Sequence, residues 1–125
     1  MNLYHQELMD HYHHPRNKGA VSHAHFSSAA LNPSCGDIVS FQGTLHANVI
    51  DALGFTGSGC VISQAAASML SERVKGLSRD QVMSLDNHFM LKILNLSLGP
   101  TRLRCATLAL EALHRALTEY SQAQA

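Results

Sequence analysis

The chain has 125 residues, which is enough for one domain with its own hydrophobic core. Nine basic and nine acidic side chains give a formal net charge of zero, which excludes the basic surface that nucleic-acid or anionic-membrane binding requires. Three cysteines cannot all pair as disulfides, so metal or thiol chemistry is favoured over a fold held together by disulfides.

The first residues predict a helix rather than a targeting segment. Residues 4–7 are mostly polar where a signal peptide needs an apolar core, and no run is long enough to span a bilayer. We therefore expect a cytoplasmic protein with a single domain over residues 1–125. Leu8 and Tyr12 follow the helical period within residues 2–14, and Pro15 ends the helix.

Two histidines of this helix, His11 and His14, are three residues apart and could share one face. No other type of metal ligand lies near them in sequence. We therefore predict that both are solvated rather than metal-bound.

The hydrophobic period changes from helical to alternating between residues 26 and 55. Strands are predicted at residues 28–31, 38–45 and 49–55, with a short polar link at 46–48 that forms an antiparallel hairpin. Residues 57–59, Gly-Ser-Gly, are expected to end the sheet pattern.

Helices are predicted for most of the remaining chain. One begins at Cys60 and stops before Gly76, and Ser78 with Gln81 has the form of a capping box for the next. A further helix covers residues 88–96. The last helix follows Gly99 and presents a continuous apolar face at Leu103, Ala106, Leu110, Leu113, Leu117 and Tyr120. The predicted fold is α/β (α+β), with a three-stranded antiparallel sheet covered by helices.

Cys35 and Cys60 each stand next to a glycine, and Cys105 follows the Gly99-Pro100 pair by five residues, so all three lie near predicted element ends. Cys35 and Asp37 lie at a turn that opens a strand, Cys60 begins a helix, and Cys105 falls within the first turn of the last helix. Arg102 precedes Cys105 by three residues, so its charge is predicted to support that sulfur. We predict that Cys35, Asp37, Cys60 and Cys105 converge on one metal- or cluster-binding site.

Three segments around the cysteines resemble a known family. They are Asn-Pro-Ser-Cys-Gly-Asp at residues 32–37, Gly-Ser-Gly-Cys-Val-Ile-Ser at 57–63 and Gly-Pro-Thr-Arg-Leu-Arg-Cys-Ala at 99–106. In this order they resemble the cysteine motifs of the U-type iron–sulfur cluster assembly scaffolds, the IscU, SufU and NifU N-terminal family. The resemblance extends to Asp-His-Tyr-His-His-Pro-Arg-Asn at residues 10–17.

This resemblance implies a function. Family members receive sulfur from a cysteine desulfurase, combine it with iron into a transient [2Fe–2S] cluster, and pass the cluster to apo acceptor proteins. The ligands implied here, for the cluster, for iron or for zinc, are Cys35, Asp37, Cys60 and Cys105. A carboxylate is a harder ligand than a thiolate, so Asp37 is the predicted point of release. Such a protein is a scaffold and carrier rather than an enzyme.

Two departures from the family are informative. IscU proteins have a histidine before the third cysteine, and this chain has Arg104. The Leu-Pro-Pro-Val-Lys segment that IscU presents to its dedicated Hsp70 chaperone corresponds to Leu-Gly-Pro-Thr-Arg at residues 98–102, which argues against recognition by that chaperone. The surroundings of Arg104 are closer to SufU, although the interval between the second and third cysteines is shorter than in SufU.

Two alternatives remain open. The first is a SufU-like, zinc-dependent sulfurtransfer partner of a cysteine desulfurase, with Cys105 as the candidate persulfide acceptor. This alternative would give the protein a sulfurtransferase-type activity. The second is a purely structural metal, whose removal would unfold the domain without any effect on a desulfurase.

Overall fold

Three strands form an antiparallel sheet in chain order: β1 (Phe26–Asn32), β2 (Asp37–His46) and β3 (Val49–Ser58). The computed structural model describes residues 3–95 and 98–124. The helices are α1 (Leu3–His13), α2 (Val61–Val74), α3 (Arg79–Met83), α4 (Asn87–Leu94) and α5 (Pro100–Gln124). The predicted fold class is confirmed.

Alternation along β2 explains which face of the sheet is covered. Val39 and Phe41 are fully buried beneath the helices. Ile38, the residue before Val39, is 37% exposed on the outer face. A two-residue turn at Ala47 and Asn48, both with positive φ, joins β2 to β3. Turns of this type match the twist of paired strands, so the predicted hairpin forms here.

The expected end of the sheet at residues 57–59 is wrong, because β3 continues to Ser58. Gly57 pairs with Val39, and Ser58 pairs with Ile38. A glycine weakens a strand but can still make its backbone hydrogen bonds, and β2 supplies the partner. The strand therefore carries the chain up to Gly59 and Cys60.

Two helices, α2 and α5, form the hydrophobic core with the inner face of the sheet. Ala65, Ala66 and Leu70 of α2 are fully buried, and Leu113 and Leu117 are fully buried on the predicted face of α5. Small side chains on α2 let its neighbours approach closely. Neither of these helices, nor any other helix in the described ranges, is long and apolar enough to cross a membrane.

The two short helices between them begin with side-chain caps. The predicted capping box of α3 is present: Ser78 Oγ accepts from the Gln81 N–H, and Gln81 Oε1 accepts from the Ser78 N–H. Asp86 caps α4 by accepting a hydrogen bond from the Phe89 N–H. The predicted end of this helix, residue 96, lies outside the described residues.

Helix α1 packs on α2 through a buried histidine. The prediction that His11 is solvated is wrong, since it is only 6% exposed, whereas His14 is exposed. His11 Nδ1 lies 2.7 Å from Ser68 Oγ, and His11 Nε2 lies 3.4 Å from Glu72 Oε1. The packing of α1 against α2, which sequence spacing does not show, is the physical reason.

Candidate metal and cluster site

The loop that carries Cys35 is a short turn between β1 and β2. Asn32, the last residue of β1, is buried, and its backbone carbonyl accepts hydrogen bonds from the N–H groups of Cys35 (3.3 Å) and Gly36 (2.8 Å). Its side-chain oxygen also accepts from the Ser34 N–H. The turn therefore anchors Cys35 through its backbone while the Cys35 side chain remains exposed.

Asp37 begins β2 and is the most buried of the predicted ligands, at 1% exposure. Its Oδ1 accepts a hydrogen bond of 2.8 Å from the Cys60 N–H, and its Oδ2 accepts one of 3.1 Å from the Cys60 thiol. This carboxylate therefore connects the start of β2 to the start of α2.

Gly59 makes that connection possible. Its φ is +137°, a conformation that side chains rarely adopt, and a Cβ at this position would collide with Oδ1 and Cγ of Asp37. The glycine before Cys60 therefore leaves the space that the buried carboxylate occupies.

Cys60 is the N-cap residue of α2. Its sulfur accepts a hydrogen bond from the Ser63 N–H at 3.5 Å. The sulfur thus takes the place that the side-chain oxygen of a capping serine or aspartate would occupy. A sulfur at a helix N-terminus lies in a favourable potential for negative charge.

Cys105 is buried at 4% exposure, and its sulfur lies 3.9 Å from that of Cys35. The prediction that it falls in the first turn of the last helix is wrong, because α5 begins at Pro100 and Cys105 is in the second turn. The macrodipole acts mainly within the first turn, so it favours a Cys105 thiolate less than it favours a Cys60 thiolate.

Folding brings the predicted ligands together. Ligand atoms of Cys35, Asp37 and Cys105 all lie within 4.8 Å of one another, and the Cys60 sulfur joins them through its contact with Asp37. The three cysteines are thiols, with no disulfide between them. Thiolates on a tetrahedral ion with bonds of about 2.3 Å are about 3.8 Å apart, so the Cys35–Cys105 separation of 3.9 Å fits such an ion.

The donor chemistry also fits. Three sulfurs suit zinc or iron, and the carboxylate adds one harder ligand. Burial alone would raise the pKa of Asp37, but hydrogen bonds from Cys60, Cys35 and Cys105 outweigh it and hold that pKa below its usual value. Asp37 is therefore ionised at neutral pH and can serve as an anionic ligand.

The pKa of the Cys105 thiol shifts in the opposite direction. Burial raises the pKa of the Cys105 thiol, and hydrogen bonding with Cys60 and Asp37 raises it further. A bound cation would offset this effect, because metal ligation deprotonates a thiol.

The arginines are placed differently from one another. Arg102 is exposed on α5, and the electrostatic support of the Cys105 sulfur by Arg102 stays a prediction. Arg104 Nη2 lies 3.8 Å from Glu111 Oε2. Arg104 also lines a cleft of about 220 Å³ next to the Cys35 turn, together with Asn32, Ser34 and Pro100.

Sequence reasoning missed two residues at the site, Ser63 and Gln64. They follow Cys60 by three and four residues, and both contact the site or its surroundings. Their spacing from Cys60 was a sequence signal, because side chains three and four residues apart on a helix are neighbours, and Ser63 also ends the segment at 57–63 that resembles the family.

The sequence is similar to those of known proteins over nearly its whole length. Residues 3–125 match the family described as NifU-like N terminal domain. The chain is 31% identical to the zinc-dependent sulfurtransferase SufU of Bacillus subtilis (strain 168), over 94% of this chain and 90% of that protein. It is 34% identical to the iron–sulfur cluster assembly scaffold protein IscU of Aquifex aeolicus (strain VF5), over 97% of this chain and 78% of the relative.

A solved structure shares the fold. The N-terminal part of a nitrogen-fixing NifU-like protein from Brucella abortus superposes with a TM-score of 0.79 at 14% identity, covering 96% of this chain and 95% of that one. At this identity the similarity concerns the arrangement of helices and strands only.

Proposed function

This chain belongs to the NifU-like N-terminal domain family, and we propose that it is a scaffold for iron–sulfur cluster assembly. In this role it receives persulfide sulfur from a cysteine desulfurase, holds that sulfur with iron while an external electron donor reduces it to sulfide, and passes a transient [2Fe–2S] cluster to apo acceptor proteins. The cluster is the cargo of the protein rather than a resident cofactor. The relative from Aquifex aeolicus is named a scaffold of this kind.

The observation that carries the proposal is the meeting of Cys35, Asp37 and Cys105 within 4.8 Å, with Cys60 hydrogen-bonded to Asp37. A permanent [2Fe–2S] centre normally has four thiolates, whereas this site offers three thiols and one carboxylate. Such a donor set favours temporary holding over permanent retention, because the carboxylate is the weakest ligand to a soft centre.

Each residue has a role in this proposal. Cys35 lies on an exposed turn, where iron, sulfur or an acceptor protein can reach it. Cys60 and Cys105 provide the inner sulfurs. Asp37 Oδ1 accepts from the Cys60 N–H, and its Oδ2, which accepts from the Cys60 thiol, becomes available to the cargo once that thiol loses its proton.

The second candidate function is zinc-dependent sulfurtransfer. The relative from Bacillus subtilis is named a zinc-dependent sulfurtransferase, and the donor set of three thiols and one carboxylate suits zinc. Bound zinc would lower the pKa of its sulfur ligands and keep them as thiolates. Cys35, Asp37, Cys60 and Cys105 would hold the ion.

The sulfur-transfer step is a thiol exchange. A thiolate of this chain attacks the outer sulfur of the desulfurase persulfide, the S–S bond breaks, and the desulfurase cysteine leaves as a thiolate. Cys105 is the candidate acceptor that the sequence suggests. Its burial counts against it in the arrangement seen, whereas the exposed Cys35 is accessible, and their sulfurs are 3.9 Å apart. We therefore propose both as acceptors to be compared, with Cys35 reached first.

Anaerobic reconstitution tests the scaffold proposal. Purified protein is given Fe²⁺, cysteine, a cysteine desulfurase and a dithiol reductant, which supplies the two electrons that convert each persulfide sulfur into sulfide. The visible absorption of a [2Fe–2S] cluster is followed, and apo-ferredoxin is then added to measure transfer. We expect assembly and transfer for the parent and no assembly for Cys105→Ser. A parent that assembles no cluster but accelerates the desulfurase only with zinc would support sulfurtransfer instead.

A further inference from the structure

A series of hydrogen bonds next to Cys60 connects the first turn of α2 to strand β2. Gln64 Nε2 donates to Ser63 Oγ at 3.1 Å and to the Ile38 carbonyl at 3.4 Å. Ile38 directly follows Asp37, so this amide links the strand that carries one predicted ligand to the helix that begins with another.

Ser63 completes the connection to the sulfur. Its hydroxyl lies 3.8 Å from the Cys60 sulfur and donates at 3.1 Å to the Cys60 carbonyl, while its N–H donates to the same sulfur. Ser63 is fully buried, and Gln64 is 8% exposed. These groups contact Cys60 from the side of α2, whereas Asp37 contacts it from β2.

The Gln64 side chain is difficult to explain by stability alone. Its Oε1 is buried without a hydrogen-bond partner among the residues that the structure describes. A buried carbonyl oxygen without a partner is destabilising, and an apolar side chain of the same length would avoid that cost. Residues that violate a local rule of this kind are concentrated at functional sites.

The neighbouring strand makes room for the amide. A Cβ at position 57 would collide with the Ile38 carbonyl and come within 3.1 Å of Gln64 Oε1. The glycine at this position therefore lets the Gln64 amide lie against the backbone of β2.

We propose that Ser63 and Gln64 are positioning residues that hold the Cys60 sulfur at a fixed place relative to Asp37. A metal ion or cluster bound by both residues requires this fixed geometry. The inference rests on the proposed function of the site. Groups that orient metal ligands in this way typically change metal affinity by about 10- to 100-fold when they are removed.

The test is titration of the metal-free protein with Co²⁺ alone, followed by competition with Zn²⁺. Thiolate-to-cobalt absorption reports how many sulfurs bind the ion. We expect Ser63→Ala and Gln64→Met to weaken Co²⁺ binding by about 10- to 100-fold. Ser63→Thr, which keeps the hydroxyl, should bind as the parent does.

Ser71→Ala is the matched control. Ser71 is also a fully buried serine on α2, but its hydroxyl donates to the carbonyls of Ser68 and Arg16, away from the site. We expect its Co²⁺ affinity to stay within about twofold of the parent, even if its unfolding midpoint falls. Gln64→Met should show the reverse pattern, with weaker metal binding and an undiminished unfolding midpoint.

Three results decide the matter. Parent-like Co²⁺ affinity in both Ser63→Ala and Gln64→Met would overturn the inference. Affinity that falls only in proportion to the unfolding midpoint, with Ser71→Ala behaving alike, would also overturn it. A parent that shows no thiolate-to-cobalt absorption would instead refute the proposed function, and this inference with it.

Discussion

Asp37 and Cys60 are joined by two hydrogen bonds, one to the backbone N–H and one to the thiol of Cys60, at 2.8 and 3.1 Å. The two residues are 23 positions apart and belong to different elements. One carboxylate thus fixes Cys60 at the start of α2 and is also one of the four predicted ligands. Changes at this pair should affect stability and metal chemistry in separable ways.

Replacing Asp37 by alanine should separate these effects. We expect the free energy of unfolding to fall by about 1 to 3 kcal/mol, because the Cys60 N–H loses its buried acceptor. We also expect cluster transfer to apo-ferredoxin to slow severalfold, because the carboxylate that is the predicted point of release is gone. Urea denaturation and transfer kinetics measure the two quantities.

Asp37→Asn is the companion variant, since its side-chain oxygen can still accept from the Cys60 N–H but carries no charge. It should recover most of the lost stability. Transfer as fast as in the parent for Asp37→Ala would contradict the role of this residue as the point of release.

Replacing Gly59 by alanine should be strongly destabilising. The new Cβ would collide with the Asp37 carboxylate, and the φ of +137° is unfavourable for alanine. We expect a loss of about 2 to 4 kcal/mol in unfolding free energy and weaker Co²⁺ binding. Gly99→Ala is the control, because no atom of the residues that the structure describes lies within 4 Å of a Cβ there. Equal stability of the two variants would show that the Asp37 carboxylate does not need this space.

The thiols should differ in reactivity in the metal-free protein. We expect iodoacetamide to alkylate Cys35 at least about tenfold faster than Cys105 at neutral pH, because Cys35 is exposed while burial raises the pKa of the Cys105 thiol. Mass spectrometry of the cysteine peptides measures both rates in one sample.

The same order should appear in sulfur transfer if the protein acts as a sulfur acceptor. Cys35→Ser would then abolish stimulation of the desulfurase, and persulfide would accumulate on Cys35 before Cys105. Persulfide found first on Cys105 would show that the partner opens the site before the sulfur arrives.

Stability should depend on pH through His11. Burial lowers the pKa of His11, and the nearby Arg16 charge lowers it further, against the opposing effects of Glu72, Glu7 and Asp10. The unfolded chain therefore binds a proton at higher pH than the folded one does. Stability is fully present above about pH 6.5 and is lost as the pH falls towards the lower folded-state pKa.

Thermal denaturation between pH 8 and pH 5 measures this dependence. In His11→Gln the His11 contribution to the slope should vanish, whereas a change at the exposed His14 should leave it in place. A slope unchanged in His11→Gln would assign the effect to other groups.

Local sequence was enough to predict most of the architecture. The strands, the capping box at Ser78 and the start of α2 at Cys60 depend on neighbouring residues and on hydrophobic period, which a linear pattern contains. The same local contexts singled out Cys35, Asp37 and Cys60, because each stands beside a glycine or at an element boundary. Cys105 lies inside α5, five residues after Pro100, and was singled out by the segment around it.

Tertiary structure alone decided how these residues meet. The 3.9 Å between Cys35 and Cys105 spans 70 positions of sequence, and the burial of His11 depends on where α1 packs on α2. The roles of Gly59, Ser63 and Gln64 arise from contacts between α2 and β2. Period and propensity describe one element at a time, whereas distances between elements are set by how their side chains pack together.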